Sequence, residues 1–215
     1  PERVRAYATH LESLGNSTQT ILARLQELGE VARVMEPDQR WSLIHRIASK
    51  VRARHVPARD KRNLRHSNEL LELGLTLMDQ AEALEELSAA MRYRDGLIIA
   101  FLALVPLRRR NLAGLRLGLS LRRQTSHWLV WLSPDETKTH GAYEAPVPAV
   151  LTDRMDRYVS HYREVLRSRT GRWNKPLESA LWASKDGSPM TQMAIYDRIR
   201  EYTREAFGEA INPHL

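Results

Sequence analysis

Three consecutive arginines, Arg108, Arg109 and Arg110, follow Val105-Pro106-Leu107 at the end of "LIIAFLALV", one of the most apolar segments of the chain. A guanidinium stays charged and presents a planar fork of N–H donors that can hold a phosphate or carboxylate with two parallel bonds. Pro106 disfavours helix at Val105, so the apolar helix is expected to stop there and a new one to begin around Leu107 or Arg108. The arginines then fall in the first turn, where positive charge opposes the helix dipole at about 0.3–1 kcal/mol each. An anion bound at that end reverses the balance, because free amide N–H groups and guanidinium forks converge on it. The plainer reading is a solvated basic turn.

A second group of cations is larger and looser. Between Arg40 and His66 lie nine Lys or Arg (Arg40, Arg46, Lys50, Arg52, Arg54, Arg59, Lys61, Arg62 and Arg65) against one acid, Asp60. The charge then reverses: Glu69, Glu72, Asp79, Glu82, Glu85 and Glu86 occur with no Lys or Arg before Arg92. Such a switch implies two faces, or two modules with different neighbours. The net charge of +7 points to a polyanionic partner, simple solubility being the bland alternative.

These residues need a scaffold, and 215 residues with 42% apolar content supply one large or two small domains. The chain has no cysteine, which excludes disulfides and thiolate metal sites and suits a reducing cytoplasm. No signal peptide is evident, and Leu97 to Val105 is too short to span a bilayer, so no membrane is expected. The chain begins with proline and stops at "INPHL", neither of which reads as a natural end.

Helical patterning dominates. "TQTILARLQELGEVARVM" places Ile21, Leu25 and Leu28 on one face with Thr18 as N-cap. "QRWSLIHRIASKVRARH" places Leu43, Ile47 and Val51 four apart, with Arg46, Lys50, Arg52 and Arg54 on the polar side and Pro57 ending the helix. Residues 68 to 88 read as one further helix. "LGLSLRR", "HWLVWLS" and "AYEAPVPA" read as two or three strands of a small antiparallel sheet. Helices resume at "LTDRMDRYVSHYREVL" and "TQMAIYDRIREYTREAF", with Ser184-Lys185-Asp186-Gly187 a turn before the latter. Trp128, Trp131 and Trp182 read as core residues rather than base-stacking ones. The expected boundaries are a helical domain at 1–57, a basic linker at 58–67 and a second domain at 68–215. The fold class is mainly α with a small antiparallel β-sheet.

"ALVPLRRRNLAGLRLG" resembles the first-arginine motif of the tyrosine recombinases, or phage-type integrases. That motif runs glycine-leucine-arginine, two residues, an acid, then leucines. Arg108 matches the arginine, and Asn111 stands where the acid usually sits. "PDETKTHGAYEAPVP" resembles the hairpin carrying the family's catalytic lysine, which makes Lys138 the candidate. "INPHL" resembles the start of the histidine-x-x-arginine box, with His214 as its histidine. The second arginine and the nucleophilic tyrosine of the family fall beyond the last residue. Tyr196 and Tyr202 precede the box and cannot be that tyrosine by order.

The resemblance implies an N-terminal helical core-binding (SAM-like) domain, a basic linker and a C-terminal α+β catalytic domain that is incomplete here. It implies a site-specific recombinase that cuts and rejoins double-stranded DNA through a 3′-phosphotyrosyl intermediate without metal or cofactor. Fixed cations would stabilise the charge that builds on the non-bridging oxygens. On this reading Arg108 grips the phosphate, Lys138 protonates the leaving 5′ oxygen, and His214 bonds the phosphate or assists proton transfer. Arg46, Lys50, Arg52, Arg54, Lys61, Arg62 and Arg65 are the expected contacts to the DNA backbone, binding with counterion release. The family context further implies DNA integration by a mobile element, a homo-tetramer on two duplexes for the full-length protein, and a prokaryotic, nucleoid-associated location in the cytoplasm. The 215-residue chain itself is expected to bind DNA without breaking it. Two alternatives stand: a non-catalytic DNA-binding protein on the same fold, and a helical module whose basic stretch meets an acidic protein.

Overall fold

The computed structural model describes residues 2–54, 65–171 and 177–212. The chain divides into two compact units, Pro1–Arg62 and Asn63–Leu215.

The first unit has three helices: α1 (Glu2–Ser13), α2 (Thr18–Met35) and α3 (Ser42–Ala53). Its core is Ala8 and Leu11 from α1, Ile21 and Leu25 from α2, and Ile44 and Ile47 from α3. The N-cap of α2 is Ser17, whose hydroxyl accepts from the Thr20 amide at 3.2 Å, one residue before the expected Thr18. Ile44 rather than Leu43 is the buried partner of Ile47. The helix α3 closes at Arg54 before Pro57 is reached.

The second unit opens with α4 (Ser67–Ala81) and α5 (Glu86–Leu104). The expected single helix over 68–88 is thus broken between Ala81 and Glu86. The two helices fold back on one another at Gly74 and Gly96. A Cβ added at Gly74 would lie 2.5 Å from the Gly96 carbonyl oxygen, and one at Gly96 would lie 2.6 Å from the Gly74 oxygen. Only glycine lets the two backbones approach this closely. His66 caps α4: its ring accepts from the Asn68 amide at 3.2 Å, while Glu69 accepts from the His66 amide at 2.9 Å.

A short helix, α6 (Arg109–Ala113), leads to an antiparallel sheet ordered β1 (Leu121–Arg123), β2 (Trp128–Leu132) and β3 (Tyr143–Pro146). Val130 faces Leu121 on one side and Ala145 on the other. Trp128, Val130 and Leu132 point into the core, as strand alternation requires. Next comes a helix whose middle widens into a π turn: α7 (Thr152–Arg157), Tyr158–Tyr162, then α8 (Arg163–Arg167). The turn at Ser184-Lys185-Asp186-Gly187 has Gly187 at φ 77°, and the Asp186 carboxylate accepts from the Ser188 amide and hydroxyl. Last is α9 (Gln192–Phe207), capped by Thr191 and closed by Gly208 at φ 76°. Around α5 the core gathers Phe101, Leu112, Tyr158 and Trp182. The described residues are mainly helical with one small antiparallel sheet. No helix among them is long and apolar enough to cross a membrane.

Candidate functional site

The helix α5 stops where Pro106 requires, with Val105 extended at φ −123°. Arg108 is the N-cap of α6 and is exposed. Its neighbours fix its backbone. Leu107 and Leu112 are buried, and the Leu112 amide donates to the Arg108 carbonyl at 2.9 Å. The Trp182 indole N–H donates to the Leu112 carbonyl at 2.8 Å, and Trp182 meets Phe101 edge-on with ring centres 6.2 Å apart. A flexible cationic side chain therefore stands on a rigid base. Among the described residues the Arg108 guanidinium has no carboxylate and no side-chain hydrogen bond, and Asn111 does not bond to it.

One expectation changes. The helix α6 has five residues, little more than a turn, so few peptide dipoles add along it. Any anion held here must be held by the guanidinium groups, not by the helix end.

Lys138 is exposed in the connection between β2 and β3. That connection is braced on both sides of it. Ser133 and Glu136 form a capping box, with Glu136 accepting from the Ser133 amide and hydroxyl at 2.9 Å. The Thr137 hydroxyl lies 2.7 Å from the Gly141 carbonyl. His140, at φ 51°, makes the left-handed step that closes the turn. Lys138 has no partner among the described residues. Arg108 and Lys138 belong to the same unit. His214, Lys61 and Arg62 lie outside the described residues.

The four described backbone-contact candidates of the first unit lie on and just after α3. Arg46, Lys50, Arg52 and Arg54 are all exposed, and none has an ion pair among the described residues. Arg46, Lys50 and Arg54 follow one another at intervals of four, which lines them along one face. Arg65 differs. It stacks on Phe207 with its guanidinium carbon 5.0 Å from the ring centre, and it reaches Glu69 at 3.5 Å and Glu209 at 3.7 Å. Of the described backbone-contact candidates it is the one already occupied within its own unit.

Trp128 and Trp182 are core residues, as expected. Trp131 is half-buried and lies under the Arg122 guanidinium at 4.9 Å.

Two groupings have no signal in the sequence. Arg94 and Asp95, adjacent on α5, form a buried ion pair at 2.6 Å, with Arg94 also donating to the Ala183 carbonyl at 2.7 Å. Burial pushes the Asp95 carboxyl up, and the Arg94 guanidinium pulls against that. Adjacent unlike charges in a helix look like ordinary surface, and nothing in the sequence marks them as interior. The other grouping is Arg109, Tyr196 and Arg200. Arg109 from α6 and Arg200 from α9 both pack on the Tyr196 ring, at 5.0 and 5.3 Å from its centre.

No protein-family model matches the chain, and no match was found among curated proteins. Among solved structures, the chain is similar to the XerH site-specific recombinase bound to difH substrate in a pre-cleavage complex, with a TM-score of 0.49 and 17% identity over 88% of this chain and 56% of that one. It is also similar to the same recombinase bound to a palindromic difH substrate in a post-cleavage complex, with a TM-score of 0.45 and 16% identity over 85% of this chain and 55% of that one. The chain spans just over half the length of these structures.

Proposed function

We propose that the chain is the DNA-binding and partial catalytic portion of a tyrosine-type site-specific recombinase. The observation that carries this reading is the pair of exposed, unpartnered cations Arg108 and Lys138, each on a braced turn of one unit. Their chain order and local setting match the motifs the sequence resembles. A surface guanidinium and ammonium without carboxylates are poised for an external anion, and the fork of Arg108 suits the non-bridging oxygens of a phosphodiester. Lys138, on a projecting turn, acts as general acid toward the leaving 5′ oxygen. Arg46, Lys50, Arg52 and Arg54 add affinity through backbone phosphates, as do Lys61 and Arg62, with Arg65 the weakest of the set. His214 completes the phosphate site. The nucleophilic tyrosine lies in a longer chain, which assembles as a tetramer on two duplexes and works at the nucleoid of a prokaryotic cell.

The first test is duplex DNA binding by this chain at increasing salt. The logarithm of the binding constant should fall linearly with the logarithm of salt concentration, with a slope of about −0.9 for each phosphate contacted. No binding at about 50 mM salt sinks the reading and favours the acidic-protein partner. The second test uses a chain extended through the tyrosine. Arg108→Lys should abolish strand cleavage and leave DNA binding within a few fold, because an ammonium cannot make the bidentate contact. Normal cleavage by that variant removes Arg108 from the site. Absence of cleavage in the unsubstituted extended chain favours the non-catalytic relative.

A further inference from the structure

Arg109 and Arg200 come from distant parts of the sequence and meet on one ring. Two guanidinium groups brought to the same aromatic side chain repel one another, and that repulsion is ordinarily relieved by a carboxylate nearby. Here there is none. Neither arginine has an ion pair or a side-chain hydrogen bond among the described residues. The neighbouring arginine of α9, Arg198, shows the usual solution, pairing with Glu201 at 2.7 Å. The Arg109 Nε is buried with no hydrogen-bond partner among the described residues, so its stacked position has consumed one donor and replaced it with nothing. Tyr196 holds both planes by cation–π contact and leaves the outer N–H groups free to face an acceptor.

We propose that Arg109 and Arg200, held on Tyr196, form a second phosphate-gripping site that binds the DNA backbone independently of Arg108. The ligand is a phosphodiester of duplex DNA, since two planar forks held on one ring and left without an ion pair among the described residues match an anion with several acceptor oxygens. The site sets where the strand lies and has no part in bond making or breaking. It rests on the DNA-binding reading above.

The test is the salt dependence of duplex binding by the 215-residue chain and its Arg109→Gln and Arg200→Gln variants, with Arg198→Gln for comparison. Each of the first two should weaken binding about tenfold at low salt and reduce the magnitude of the log–log slope by about 0.9. Arg198→Gln should leave the slope unchanged, because that arginine is already paired. If Arg109→Gln disturbs folding, seen in its circular dichroism, Arg200→Gln carries the test from the middle of α9. Slopes equal to that of the unsubstituted chain overturn the proposal while duplex binding stands, as does an equal loss from Arg198→Gln. Failure of the unsubstituted chain to bind DNA overturns the reading beneath it instead.

Discussion

Tyr158 is buried in the π turn, where its hydroxyl donates to the Leu181 carbonyl at 3.2 Å and accepts from the Ala183 amide at 3.3 Å. Burial pushes its phenol up to about 12, with Arg94 opposing. An unfolded tyrosine titrates near ~10, so below that pH both states hold the proton and the full stability is present. As pH rises from about 10 toward 12 the unfolded chain loses its proton first, and about 2–3 kcal/mol of stability goes with it. Urea unfolding between pH 9 and 11 should therefore fall more steeply for the native chain than for Tyr158→Phe. Parallel curves would refute the buried-phenol account. At this scale the sequence was a partial guide. Arg108 is proposed from its place after Pro106-Leu107, and Lys138 from its turn. No spacing rule connects position 109 to positions 196 and 200, because their meeting depends on α6 packing against α9.

The helix pair α4–α5 is an element-scale device. Gly74 and Gly96 each face the other's carbonyl at a distance that no Cβ tolerates, and the atoms in the way are backbone. Alanine gains about 1 kcal/mol of helix propensity over glycine in an ordinary helix. Here overpacking reverses the sign, at a cost of about 1–3 kcal/mol or more. Gly74→Ala should lower the unfolding midpoint in urea without changing the far-ultraviolet signal of the folded state. A rise in midpoint would show that the helices separate easily. Elements were legible where local chemistry decides them: the stop at Pro106, the strands from "HWLVWLS" and "AYEAPVPA", the Gly187 turn and α9. The break between Ala81 and Glu86 was not, since "EALE" is made of good helix formers and the fold-back is set by packing on α5. The π turn escaped for the same reason. The first helix carries Val4, Tyr7, Ala8 and Leu11 at helical spacing, a signal the sequence analysis above leaves unused.

At the scale of the molecule there are two hydrophobic cores, and among the described residues they share no member. The smaller holds six buried apolar residues among those described, few for a unit of its length. Unfolding should accordingly occur in two transitions, the first with the smaller denaturant dependence because less surface is exposed. Tryptophan fluorescence should report mainly the second, since four of the five tryptophans follow Arg62 and only Trp41 precedes it. A single transition seen alike by fluorescence and circular dichroism would mean that the units unfold together. The mainly helical class with one small sheet was readable from periodicity.

Arg65, just ahead of α4, is tied to the end of α9, through Phe207 in its last turn and Glu209 just beyond it. Residues 65 and 209 thus lie side by side. Tension applied through both would act first on that clasp, and the sheet and the arginine turn would be shielded from the load.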